Sequence, residues 1–316
     1  MITVSVPTQA VADALGDPGP DARVIVWNPA ESDPPAQERE RITIACLAHF
    51  TGGRTLYGRL AQCPDLKVIQ LASAGYEHAA GLVPPGVSLA NARGVHDSRV
   101  AEMTLLLALA SQRRFPANLD AQRRGVWEPD FEAPSLADTK ALVVGYGSIG
   151  EAIGARLRAC EVEVEGVARS ARMAPDGTLV HAADGLLSLL PHQDIVIVVT
   201  PHEDATDKLV DAAFLAAMRD DALLINVGRG KVVDTDALLA ELQSGRLRAA
   251  LDVTDPEPLP EGHPLWSAPG CIVVPHIAGV ERLTNRRFTD VVRRQIEARR
   301  HGDDPANFVM MGAFPA

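Results

Sequence analysis

Lys140-Ala141-Leu142-Val143-Val144-Gly145-Tyr146-Gly147-Ser148-Ile149-Gly150 decides how this chain folds. A short apolar run of strand length leads directly into G-x-G-x-x-G, and Glu151 to Ala159 continue with helical spacing. Gly145 permits the tight turn, Gly147 lets the backbone approach a pyrophosphate, and Gly150 allows the helix to pack closely on the strand. The N–H groups at the start of that helix would point at the phosphates, which makes Tyr146, Gly147, Ser148 and Ile149 candidate cofactor-binding residues. By itself the pattern is also that of an ordinary Gly-rich turn. Its place between a strand and a helix, followed by a second strand-like run at 162–167, argues for a dinucleotide site.

That second run ends in Gly166-Val167-Ala168-Arg169-Ser170-Ala171-Arg172. An NAD site wants an acidic residue about 20 positions beyond the glycines, to hold the ribose 2′-hydroxyl. Position 169 is Arg, and no acid occurs between Gly166 and Pro175. A carboxylate would repel a 2′-phosphate, whereas Arg169, Arg172 and the Ser170 hydroxyl would bind it. NADP(H) is therefore expected in preference to NAD(H).

Further strand-like runs follow at 194–199, 222–227, 248–253 and 271–274. The last three stop at segments that carry charge: Asn226-Val227-Gly228-Arg229-Gly230, Asp252-Val253-Thr254-Asp255-Pro256-Glu257-Pro258 and Val274-Pro275-His276-Ile277-Ala278-Gly279. Ligands of open α/β sheets bind beyond the carboxyl ends of the strands. A guanidinium, a carboxylate and an imidazole at three successive strand ends can therefore meet one bound molecule.

The first half of the chain repeats the α/β alternation, with runs at 2–6, 23–27, 42–47, 67–71 and 87–90. A Pro- and acid-rich stretch at 28–40 reads as a mobile loop. A helical pattern runs from Arg99 to Arg114, the segment 117–138 reads as irregular, and a final helix at about 281–300 ends in a polar tail. With 316 residues, more than one core is expected. The predicted division is 1–95 plus 285–316 as a smaller flavodoxin-like domain, and 96–284 as a Rossmann domain. The fold class is thus α/β with two doubly wound domains.

Net charge is −11, which argues against nucleic-acid and anionic-membrane surfaces. The four cysteines form no C-x-x-C pair, so neither a metal site nor a disulfide framework is expected. Met1 to Leu15 lack the features of a signal peptide, and the longest apolar run, Met103 to Ala110, is too short to span a bilayer. The expected location is the cytoplasm.

From Cys63 onward the chain resembles the D-isomer-specific 2-hydroxyacid dehydrogenases, within which the glyoxylate/hydroxypyruvate reductases are a near neighbourhood. The resemblance rests on Ser73-Ala74-Gly75-Tyr76-Glu77-His78, on Asn91-Ala92-Arg93-Gly94 with Val100-Ala101-Glu102, and on Gly145 to Gly150. It continues through Asn226 to Asp234, Asp252 to Leu259 and Pro275 to Gly279. Gly228 departs from the usual Ala or Ser, Val274 from the usual Thr, and the first 60 residues match poorly.

The resemblance implies an oxidoreductase that moves hydride between NADP(H) and a small 2-oxo or D-2-hydroxy acid. Arg229 would hold the substrate carboxylate and polarise its ketone, and His276 would give the ketone oxygen a proton. Glu257, preferred to Asp255 on the family's spacing, would pair with His276 and favour its protonated form. Asp252 would bond the nicotinamide carboxamide or cap its strand. Thr200, Pro201 and Val227 would line the cofactor, and the backbone N–H groups of Ala74 and Gly75 would receive the substrate carboxylate. His49, Phe50 and Tyr76 are candidates for touching the substrate side group. The site would be an interdomain cleft with hinges near 92–98 and 280–284, and the 99–114 helix with the 117–138 arm would form a homodimer. A second class shares this framework, the dinucleotide-sensing scaffold or corepressor proteins; turnover on 2-oxo acids separates the two.

Overall fold

A run of four or five aliphatic residues flanked by helices has no polar face to offer water, so it is stable only with both faces covered. Both halves of the chain contain such runs, and both build parallel sheets. The computed structural model describes residues 1–49, 51–279 and 282–313. Phe50 and the 280–281 part of the expected hinge lie outside the described residues. Contacts divide the chain into two units, Met1–His96 with Glu281–Ala316, and Asp97–Val280.

In the first unit, strands β1 (Ile2–Val6), β2 (Ala22–Val26), β3 (Ile44–Cys46), β4 (Val68–Gln70) and β5 (Ser88–Ala90) lie parallel in the order 2-1-3-4-5. This is the flavodoxin-like order. Val4, Val6, Ile44 and Val68 pack with Phe288, Val292 and Ile296 of the helix Arg286–His301 on one face. Ala45, Leu47, Ile69 and Leu89 pack with Leu56, Leu60 and Trp27 on the other.

The second unit holds β6 (Lys140–Val144), β7 (Glu163–Ala168), β8 (Arg172–Met173), β9 (Leu179–Ala182), β10 (Ile195–Val198), β11 (Leu223–Asn226), β12 (Arg248–Leu251) and β13 (Cys271–Val273). Their order is β13-β12-β11-β10-β6-β7-β9-β8, parallel except for β8. The order reverses between β6 and β10, the switch point where doubly wound sheets bind ligands. Val144 pairs with Val198 there, which sets Gly145 beside the residues that follow β10. Successive residues face opposite sides, so Val143, Ile195, Ile197 and Ile225 join the helices Asp97–Gln112 and Ser148–Arg158. Leu142, Val144, Val196 and Leu224 join Phe214, Leu238 and Leu242. Each fully buried Leu or Ile contributes about 1.5–3 kcal/mol.

Four expectations need correction. Phe115–Arg124 is helical rather than irregular, because Pro116 sits in its first turn, where no backbone donor is lost. The C-terminal tail is not simply polar: Phe308–Met311 adds an antiparallel edge strand beside β5. The segment after Ala168 is not a plain loop, since β8 turns back on β9 as a hairpin. The 28–40 stretch is tied down by ion pairs Arg23–Glu38 and Arg59–Asp33 and by the Trp27 indole N–H donating to the Ser32 carbonyl at 3.1 Å. Among the described residues no helix is long and apolar enough to cross a membrane.

Candidate active site

The fingerprint turn forms as its glycines require. Gly145 has φ of 104°, and a Cβ there would fall 2.9 Å from the Val199 carbonyl carbon. Only glycine combines that backbone conformation with that approach. Gly147 is exposed, its missing Cβ would meet nothing within 4 Å, and the helix Ser148–Arg158 starts immediately after it. The first N–H groups of a helix have no intrahelical acceptor, so Ser148 and Ile149 stand at an anion-ready end. The Tyr146 side chain points inward and is 1% exposed, leaving its backbone on the turn.

At the end of β7, Arg169 is exposed and its Nη2 reaches Glu203 Oε1 at 3.1 Å. Ser170 is exposed beside it, and Arg172 Nη2 donates to the Tyr146 carbonyl at 2.5 Å. Across the switch point, Thr200 and Pro201 follow β10, and the Thr200 hydroxyl is buried with no hydrogen-bond partner among the described residues. An orphaned buried hydroxyl beside an open glycine turn, one of whose carbonyls is held by Arg172, fits a phosphorylated dinucleotide.

Beyond β11 the chain turns sharply through Val227, Gly228 and Arg229. Asn226, fully buried, accepts from the Gly228 N–H at 3.0 Å and donates to the Arg229 carbonyl at 3.0 Å. The half-buried Arg229 guanidinium donates from Nη1 to the Gly228 carbonyl at 2.8 Å. Beyond β12, the Thr235 hydroxyl donates to the Asp255 carbonyl at 2.7 Å, fixing the loop that carries Glu257. The Asp255–Pro256 and Glu257–Pro258 peptide bonds on either side of Glu257 are cis.

Beyond β13, His276 adopts φ of 50°. Asp252 holds it there: the Asp252 carbonyl accepts the His276 N–H at 2.8 Å, and its carboxylate accepts the Ile277 and Ala278 N–H groups at 2.8 and 3.1 Å. Burial pushes the Asp252 carboxyl above its ordinary range, against the pull of those two amides and the His276 imidazole. The held ring places His276 Nδ1 2.5 Å from Glu257 Oε1. A carboxylate on Nδ1 orients the ring and fixes its tautomer. Glu257, rather than the competing carboxylate Asp255, is the partner of His276 Nδ1.

Ala74 and Gly75 lie in the first unit, after β4. The Ser73 carbonyl accepts from the Ala92 N–H at 2.9 Å and the Ala74 carbonyl from Asn91 Nδ2 at 2.7 Å. In a trans peptide the N–H points opposite to the preceding carbonyl. Both acceptor contacts therefore turn the Ala74 and Gly75 N–H groups away from Asn91 and Ala92.

Residues 105–278 match the family model described as D-isomer specific 2-hydroxyacid dehydrogenase, NAD binding domain. The chain belongs to this family. The dehydrogenase is 30% identical over 292 residues to a glyoxylate reductase of Thermofilum pendens, covering 90% of this chain and 85% of that protein. Among solved structures it resembles a D-isomer specific 2-hydroxyacid dehydrogenase from Xanthobacter autotrophicus in complex with NADPH and MES. That match has a TM-score of 0.81 and 28% identity, with 98% of each chain covered. It also resembles an NADPH-dependent glyoxylate/hydroxypyruvate reductase from Sinorhizobium meliloti in complex with NADP and sulfate, with a TM-score of 0.80, 27% identity and 98% of each chain covered.

Asn226 and Thr235, which lock the Arg229 and Glu257 loops of this dehydrogenase, are not among the site residues expected from its sequence. Asn226 carries a signal that could have found it: a polar residue closing an otherwise apolar strand is buried only when something binds it. Thr235, in a helix's first turn, carries none.

Proposed function

We propose that this dehydrogenase transfers hydride between NADP(H) and a small 2-oxo acid of the glyoxylate or hydroxypyruvate type. The observation that carries the proposal is the 2.5 Å contact between His276 Nδ1 and Glu257 Oε1, on a turn anchored by Asp252. Support for the substrate class comes from the T. pendens and S. meliloti relatives, and for NADP(H) from the S. meliloti and X. autotrophicus structures together with Arg169, Ser170 and Arg172.

In this reading Gly147, Ser148 and Ile149 take the pyrophosphate, with the Tyr146 backbone beside them. Thr200, Pro201, Val227 and Asp252 border the rest of the cofactor, which supplies the hydride when bound. Arg229 pairs with the substrate carboxylate and polarises the ketone, and the Ala74 and Gly75 N–H groups of the first unit are proposed as carboxylate donors. His276 gives its Nε2 proton to the ketone oxygen as the carbonyl carbon accepts the hydride, and the C=O π pair becomes the O–H bond. Glu257 stabilises the imidazolium before transfer and keeps the ring oriented. Oxidation of the hydroxy acid runs the same proton backwards.

The first unit acts as the substrate domain and the second as the cofactor domain. A homodimer is part of the proposal, supported by Leu106, Phe115, Trp127 and Phe131 being exposed, the last two at 93% and 89%. A cytoplasmic location is too, supported by four cysteines that stand as free thiols.

The test is steady-state oxidation of NADPH and NADH against glyoxylate, hydroxypyruvate, pyruvate and phenylpyruvate. Rapid turnover of the first two with NADPH is expected. Binding of both cofactors without turnover would overturn the enzyme reading in favour of a dinucleotide sensor.

A further inference from the structure

Tyr146 occupies the variable second position of the glycine fingerprint, yet it is among the largest fully buried side chains. Its ring lies where two glycines leave room: a Cβ on Gly154 would come 2.6 Å from its hydroxyl, and a Cβ on Gly166 2.5 Å from its Cγ. The ring thus crosses between the helix Ser148–Arg158 and β7 and delivers its hydroxyl to the tip of the β8–β9 hairpin. There the hydroxyl donates to Asp176 Oδ2 at 3.0 Å and sits 2.9 Å from Thr178 Oγ1. Arg158 closes the network, donating to Thr178 Oγ1 at 2.6 Å, to Asp176 Oδ2 at 2.5 Å and to the Tyr146 hydroxyl at 3.3 Å.

The same residue also grips the other end of this segment. The Tyr146 N–H donates to the Val167 carbonyl at 2.9 Å, and its own carbonyl accepts from Arg172 Nη2 at 2.5 Å. Residues 168–178, which carry Arg169, Ser170 and Arg172, are therefore tied to Tyr146 at their start, middle and tip. Arg158 also neutralises Asp176, the acid of this segment, whose charge would otherwise oppose a phosphate close by.

We propose that Tyr146 is a positioning residue for 2′-phosphate recognition, holding Arg172 and the hairpin so that NADP(H) is preferred to NAD(H). The inference rests on the NADP(H) reading above. Tyr146 acts through Arg172 and Asp176, with its ring inside the protein. A hydroxyl lost from the network frees the hairpin tip while leaving the pyrophosphate turn, which both cofactors share, in place.

Isothermal titration of the full chain with NADPH, NADH and 2′-phospho-ADP-ribose tests this without turnover. Tyr146→Phe keeps the ring, and Thr178→Val removes a hydroxyl from the far side of the same network. Both variants are expected to bind NADPH and 2′-phospho-ADP-ribose about tenfold more weakly, the effect of one hydrogen bond. NADH binding should stay within about twofold, and the amides of residues 172–178 should exchange faster in the cofactor-free protein. Equal losses for NADPH and NADH, or a lower Tm with unchanged binding, would mean a structural role and overturn the inference. A wild-type chain that binds the two cofactors equally overturns the NADP(H) reading and this inference together. A wild type that prefers NADPH, with the preference intact in both variants, overturns the inference alone.

Discussion

Gly230 lies against the backbone of Thr254 so closely that a Cβ on it would fall 1.9 Å from the Thr254 carbonyl oxygen. The turn bearing Arg229 and the loop bearing Glu257 are therefore in backbone contact, with no side chain between to absorb a change. Gly230→Ala must push the two apart. Overpacking of this kind costs about 1–3 kcal/mol, and misplacing reactive groups by about 1 Å can cost about a hundredfold in rate. The expected variant has a Tm lower by several degrees and kcat/KM reduced by about two orders of magnitude. Thermal denaturation and steady-state kinetics read both, and wild-type kinetics would refute the coupling.

In the proposed reaction His276 and Glu257 divide one task. His276→Ala removes the proton donor and is expected to lower kcat by about 10²–10⁴-fold with NADPH binding unchanged. Glu257→Gln keeps a hydrogen-bond acceptor for Nδ1 and loses the charge, so its kcat should fall less. If the two variants lose equally, the charge on Glu257 rather than its geometry carries the effect. Normal turnover in His276→Ala would remove the acid–base assignment altogether.

The fingerprint and the strand ends are legible in the sequence because each depends on local chemistry. Val143-Val144-Gly145 can hardly be anything but a strand entering a tight turn, and apolar runs that stop at Arg229, Glu257 and His276 mark where a sheet meets solvent. Features set by distant partners are not legible in this way. Phe308–Met311 becomes a strand only because β5 offers an open edge, and β8 is two residues long and exists through its pairing with β9. The Phe115–Arg124 helix is hidden by Pro116, whose meaning depends on whether it opens a helix or breaks one. Arg169 and Arg172 announce a basic site in sequence, but the partners that hold them, Glu203 and the Tyr146 carbonyl, are 34 and 26 residues away.

Arg169→Asp combined with Arg172→Ala removes two guanidinium groups and puts a carboxylate where an NAD site would carry one. A hydrogen bond to a charged group contributes about 1.5–3 kcal/mol, so each arginine lost should weaken NADPH by about 10–100-fold. NADH binding is expected to hold or improve. Titration with both cofactors decides: an equal loss of NADPH and NADH affinity would sink the 2′-phosphate assignment.

Asp176 gives the structure a pH dependence of known sign. Burial draws its carboxyl upward, but the Thr178 N–H and hydroxyl, Arg158 and the Tyr146 hydroxyl outweigh that and hold it down to about 2, from an ordinary 3.8. A carboxyl whose folded-state value is depressed stabilises the fold fully above its unfolded value, and that contribution is lost as pH falls through the folded one. The window is therefore about pH 4 down to about pH 2, with stability falling as acid is added. Since Asp176 is partly solvated, the contribution after screening is about 1 kcal/mol. Asp176→Asn should be less stable than wild type at pH 7 by that amount, and denaturant melts at stepped pH should show the difference closing towards pH 2. A difference that stays constant across the window would mean that the Asp176 charge adds nothing beyond its hydrogen bonds.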